Sequence, residues 1–130
     1  MPDYAVDLLE AELGTLIGAR VVILGVAYRG NVKETAFSGA FGLRDALIAR
    51  GAEPLASDPL YTDDELRALG FEPWDGREAA GAILQADHAS YTGMSPADLP
   101  GVRAVVDGRG QLDPARFNPV GVTLRRIGGG

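Results

Sequence analysis

Residues 21–38 read VVILGVAYRGNVKETAFS, and the reading of this stretch decides the fold. VVILGV is a continuous apolar run rich in β-branched side chains. A strand with one wet face would alternate apolar and polar residues, so this one is expected to be buried on both faces, as in a parallel sheet. Gly25 lets the chain turn away. After a polar loop, the period changes from Ser38 to Arg50, where Ala40, Leu43, Ala46 and Leu47 fall on one helical face. Thr35 or Ser38 is placed to cap that helix, and Gly51 to end it in the left-handed conformation.

Working outward, the same alternation continues. Upstream, Asp3–Leu13 reads as a helix capped by Asp3, with Val6, Leu9 and Leu13 on one face and Gly14 as its stop. Downstream, AEPLASDP (52–59) reads as a second strand, and Pro54 puts it at a sheet edge or at the strand's start. TDDELRALG (62–70) is a helix capped by Thr62 and ended by Gly70. FEPW (71–74) suggests a very short strand and DGREAAGA (75–82) a short helix. AILQAD (82–87), VRAVVDG (102–108) and GVTLRRIG (121–128) are further strands, and the loop after Asp87 has room for one helical turn. Alternating strands and helices predict a single three-layer, doubly wound α/β domain of Rossmann-like type, with a mostly parallel sheet and one helix before it.

The 130 residues suffice for one domain with its own core. Twelve basic against eighteen acidic residues give a net charge of −6, which opposes a nucleic-acid partner. No stretch approaches the ~20 apolar residues of a membrane span, and the acidic, amphipathic start is unlike a signal peptide. A soluble cytoplasmic protein is the expectation. With no cysteine and one histidine, disulfides, a cysteine nucleophile and a multi-histidine metal site are excluded.

Ligands of doubly wound sheets bind outside the carboxyl ends of the strands. Four such ends carry polar residues here: Ala27-Tyr28-Arg29, Asp58-Pro59, Asp87-His88 and Asp107-Gly108-Arg109. An arginine fork pairs bidentately with phosphate, and a neighbouring ring stacks on a base or sugar. Tyr28-Arg29 therefore reads equally as an anion-binding pair or as a surface arginine over an aromatic. Arg109 alone reads as a solvated arginine in an Asp-Gly turn. Gly25 alone is a poor dinucleotide fingerprint, because the next glycine is Gly30. Asp58 is either a ribose-hydroxyl acceptor or, as the commoner pattern, a turn opener. His88 is either a general base or a loop histidine, with the latter preferred for want of a partner. Lys33 belongs to a solvated loop, and Trp74 to packing.

In this order, LGTLIGARVVILGVAYRGNVKETAFS, LIARGAEPLASDPLY, ADHASY, VVDGRGQLDP and the ending RRIGGG resemble the C-terminal domain of the UDP-glucose/GDP-mannose dehydrogenase family. The resemblance implies residues 1–18 as a lead-in helix from a central region outside this chain, and 19–130 as the nucleotide-sugar-binding domain. Enzymes of that family oxidise the C6 alcohol of a nucleotide sugar to a carboxylate with NAD and a catalytic cysteine. By resemblance, Tyr28, Arg29 and Arg109 contact the UDP-sugar and no residue here is catalytic, so the isolated chain is inactive. NAD is held mainly by an N-terminal domain outside this chain, and the whole enzyme is a homo-oligomer. Ala36 stands where the family often has an NAD-contacting arginine, leaving Lys33 as a substitute. GVAYRG and DHASY are most similar to the branch acting on UDP-N-acetylhexosamines.

Other readings are a stand-alone nucleotide-binding or regulatory module, a phosphoacceptor receiver and a complete small dehydrogenase. A receiver needs clustered aspartates at the first strand end, where this chain has Ala27-Tyr28-Arg29. The length leaves little room for a substrate domain.

Overall fold

In the computed structural model, which describes residues 2–36 and 38–127, five strands form one sheet. Helix α1 (Pro2–Leu13) precedes β1 (Arg20–Leu24), α2 (Ala40–Ala49), β2 (Glu53–Ser57) and α3 (Asp63–Ala68). Then follow β3 (Gly81–Leu84), β4 (Ala104–Asp107), the single-turn α4 (Pro114–Phe117) and β5 (Thr123–Arg126). The strand order is β2-β1-β3-β4-β5 and every neighbouring pair is parallel. The doubly wound fold read from the apolar run is the observed one. The chain moves outward from β1 to β2, returns across β1 to β3 and continues to the other edge. Its switch in direction lies between β1 and β3, where such sheets open a crevice at their carboxyl ends.

The pattern of VVILGV explains the burial. Val21 and Ile23 face the layer formed by α1, α2 and α3, with Val6, Leu9, Leu43, Leu47 and Leu66. Val22 and Leu24 face the opposite layer, with Leu84, Tyr91, Leu112 and Phe117. That second layer is thin, made of α4 and the 3-10 turns Ala89–Tyr91, Pro96–Asp98 and Asn118–Val120. Fully burying one such aliphatic side chain stabilises by roughly 1.5–3 kcal/mol, so both faces of β1 hold the fold.

Several local expectations hold. Thr62 accepts from the Glu65 amide while the Glu65 side chain accepts from the Thr62 amide, a complete capping box. Gly14 and Gly51 are left-handed, at φ 85 and 84, where their helices stop. Pro54 sits in β2, an edge strand. FEPW contributes a single bridge, between Ala56 and Pro73.

Other expectations need correction. Helix α1 begins at Pro2, so Asp3 stands in its first turn and is not its cap. Helix α2 begins at Ala40, although Ser38 still serves its entry, its Oγ accepting from the Ala40 amide at 3.1 Å. No helix forms over 75–82. The Asp75 carboxylate takes the Arg77 guanidinium and amide, Gly76 turns at φ 91, and the Ala79 and Ala80 amides donate to Pro100 and Arg20 carbonyls. Those long-range bonds replace the helical ones. The loop after Asp87 holds two 3-10 turns where one was expected. Of the ending RRIGGG, the three glycines lie outside the described residues.

Candidate nucleotide-binding cleft

The polar residues at the carboxyl edge meet through one segment, 25–31, which leaves β1. Asp58, from the end of β2, is buried, and its Oδ2 accepts from the Val26 amide at 2.8 Å and the Ala27 amide at 3.3 Å. Gln85, from the end of β3, donates its Nε2 to the carbonyls of Gly25 and Ala27 at 2.8 and 2.9 Å. Arg109, beyond β4, donates Nε to the Gln85 carbonyl at 2.8 Å and Nη2 to the Tyr28 carbonyl at 2.9 Å. Side chains from three strands thus satisfy the backbone of a loop that has no secondary structure to do so.

Gly25 has φ 90, and a Cβ there would stand 2.6 Å from that of Ala86. A Cβ at Gly30 would fall on the Asp87 carbonyl oxygen. Both glycines are therefore required by contact with the β3 end, and neither leaves backbone free for a pyrophosphate. A dinucleotide cradle does not fit this turn. Gly25 does allow the chain to turn off the strand, as read from the sequence.

Asp58 and His88 form a buried pair, with Nε2 of His88 2.9 Å from Oδ2 of Asp58. Nδ1 of His88 accepts from the Asn31 amide at 2.8 Å. An amide only donates, so Nδ1 is bare and Nε2 carries the proton toward the carboxylate. Oδ1 of Asp58 accepts from the Leu60 amide at 2.8 Å, as a turn opener does. With these acceptors occupied, Asp58 has no place for a ribose hydroxyl. His88 does lie in the loop after β3, as read, but it is buried and partnered by Asp58, so it is not an accessible base.

A cleft of about 360 Å³ opens beside this frame, lined by Tyr28, Gln85, Gly108 and Arg109 at its polar side and by Leu43 and Ile83 below. Gly39, at the start of α2, also lines it. The positive end of that helix adds to the arginine's charge. Arg109 uses two of its five N–H groups on carbonyls and keeps the others. Tyr28 is 48% exposed. Arg29 is exposed beside it, with no hydrogen bond or ion pair among the described residues. The arrangement suits binding an anion next to a ring. It offers no exposed nucleophile or general base, and no cluster of metal-ligating side chains exists among the described residues.

Lys33 lies away from the cleft, in an ion pair with Glu65 and 5.3 Å from the Tyr61 ring centroid. Its hydrogen bond holds the Glu65 carboxyl below the usual range. Gln85, Asn31 and Asp107 were missed as frame residues. Asp107 is fully buried and its carboxylate accepts from the amides of Arg109, Gly110 and Leu112, which shapes the turn presenting Arg109. The one available signal for Gln85 was a lone glutamine ending an apolar strand.

The fold is that of a Rossmann-like α/β domain with a cleft at its carboxyl edge. No family model matches the sequence, and no curated protein matches it. Solved structures do. The UDP-N-acetylmannosamine dehydrogenase Cap5O from S. aureus is 21% identical with a TM-score of 0.74, over 96% of this chain and 30% of that one. A UDP-D-ManNAc dehydrogenase from Pyrococcus horikoshii is 22% identical at a TM-score of 0.75, over 99% of this chain and 31% of that one. A UDP-glucose dehydrogenase from the hyperthermophilic archaeon Pyrobaculum islandicum is 26% identical at 0.71, over 98% and 29%. The chain thus has the fold of a domain of UDP-sugar dehydrogenases and spans under a third of their length, in accord with the resemblance carried by its motifs. Among the described residues, no helix is long and apolar enough to cross a membrane.

Proposed function

We propose that this chain is the nucleotide-sugar-binding domain of an NAD-dependent UDP-sugar 6-dehydrogenase, and that alone it binds without oxidising. The carrying observation is the meeting of Tyr28 and Arg109 at one cleft, across the β1 and β4 ends; Arg29, the next residue after Tyr28, is exposed but does not itself line the cleft. In this reading Arg109 and Arg29 neutralise the diphosphate, and the Tyr28 ring packs against the sugar or base. The GVAYRG and DHASY stretches favour a UDP-N-acetylhexosamine as the sugar nucleotide.

NAD is a cofactor of the whole homo-oligomeric enzyme, where it supplies hydride acceptance. The strand-end glycines here are filled by protein, so no step is assigned to it on this chain. A contact from Lys33 requires breaking its pair with Glu65.

Thermal melts with UDP, GDP and NAD test this reading on the wild type and on Arg29→Gln. A ligand at a hundred times its dissociation constant adds ~2.7 kcal/mol. UDP is expected to raise the wild-type melting temperature, with little effect in Arg29→Gln. The unliganded variant should melt like the wild type, because Arg29 has no side-chain bond among the described residues. Stabilisation by NAD alone would overturn the assignment.

A further inference from the structure

The Tyr28-Arg29 pair is bracketed by a single buried unit. On one side, Asp58 takes the amides of Val26 and Ala27. On the other, His88 takes the amide of Asn31 at 2.8 Å. Asp58 and His88 are 5% and 1% exposed and are joined to each other, so both flanks of the loop are referred to one rigid pair. Asn31 has φ 61, a left-handed conformation that asparagine adopts more readily than most residues with a Cβ. The neighbouring bonds, Gly30 amide to Asp87 Oδ1 at 2.7 Å and Ala89 amide to Asn31 Oδ1 at 3.0 Å, are solvent-exposed, whereas the bond to His88 is partly buried.

The geometry points to His88 as a positioning residue for the nucleotide site: its Nδ1, by accepting the Asn31 amide, sets the loop that carries Tyr28 and Arg29. It touches no ligand. The consequence for affinity rests on the nucleotide-binding reading above; the consequence for the loop does not. The two ring nitrogens separate the roles. His88→Asn puts a carboxamide oxygen where Nδ1 lies and loses the reach to Asp58. His88→Gln puts an amide nitrogen where Nε2 lies and loses the near acceptor.

Amide hydrogen exchange by NMR on the full chain, paired with UDP titration, provides the test. In His88→Gln, exchange at Asn31 is expected to be about tenfold faster and UDP affinity about tenfold weaker, the worth of one hydrogen bond. In His88→Asn, both are expected within about twofold of wild type, even if melting temperature falls. A purely structural histidine would weaken both variants according to their stability. Equal protection of Asn31 in both variants, or rescue by glutamine in place of asparagine, overturns the inference. If neither variant folds, Asn31→Gly reads the same amide without the side-chain bond to Ala89: protection kept supports the role of Nδ1, and protection lost overturns it. A wild type that ignores UDP counts against the nucleotide reading alone, because the exchange at Asn31 still decides the positioning role.

Discussion

Arg109 donates Nη2 to the carbonyl of Tyr28 at 2.9 Å, closing the carboxyl edge of the sheet between residues 81 positions apart. The same guanidinium bonds the Gln85 carbonyl, so one side chain ties three strand ends. Arg109 thus shapes the cleft as well as charging it. Truncation to alanine removes two charge-assisted bonds and leaves two carbonyls to find water. Arg109→Ala is expected to lose about 2 kcal/mol, or roughly 8 °C in melting temperature. Arg109→Lys should recover less than half, since an ammonium does not reproduce the fork. Thermal melts without ligand check this, and an unchanged melting temperature in Arg109→Ala would refute the clamp.

Asp58 accepts from three amides and from His88. Asp58→Asn turns one acceptor oxygen into a donor facing donors, inside the protein. The expected loss is about 3 kcal/mol or more, larger than for carboxylates at the surface. Urea unfolding of Asp58→Asn beside Asp45→Asn, an exposed aspartate, makes the comparison.

Gly30 approaches the Asp87 backbone so closely that a methyl group has no room. Gly30→Ala must displace the loop or the β3 end, at an expected cost of about 2–3 kcal/mol. Gly93 has nothing within 4 Å of its would-be Cβ, so Gly93→Ala should stay within about 0.5 kcal/mol of wild type. Denaturant midpoints of the two variants separate close approach from a general intolerance of replaced glycines.

Two side chains contribute with opposite signs at the two ends of the pH profile. Hydrogen bonding to Arg77 lowers the Asp75 carboxyl to about 2. A depressed carboxyl contributes stability above its unfolded pKa and loses it as pH falls toward the folded value, so the advantage over Asp75→Asn should vanish between about pH 4 and 2. Because this pair is exposed, the effect is expected to be small and erased by salt. Burial pushes the Tyr91 phenol up, with Asp58 adding to the shift. Its contribution is full below the unfolded pKa of about 10 and is lost as pH rises above it, so Tyr91→Phe should flatten the alkaline limb. Chemical denaturation from pH 2 to 11 checks both signs.

By itself the sequence determined what depends on near neighbours. The apolar, largely β-branched run at 21–24 specified a strand buried on both faces, Thr62 with Glu65 specified a capping box, and Gly14 and Gly51 specified helix ends, because each signal lies within a few residues. The motifs also carried the resemblance that the solved structures bear out at the level of fold. DGREAAGA misled for the complementary reason: its composition suits a helix, yet the Ala79 and Ala80 amides are taken by the carbonyls of Pro100 and Arg20, remote in sequence. Tertiary structure alone decided the frame of the cleft. Asp58 meets His88 across 30 residues, Gln85 meets Gly25 across 60, and Gly30 is required only because Asp87 arrives against it. Such pairings are set by the parallel register that brings the ends of β1, β2, β3 and β4 to one edge, and no local periodicity records which polar side chain will find which backbone group there.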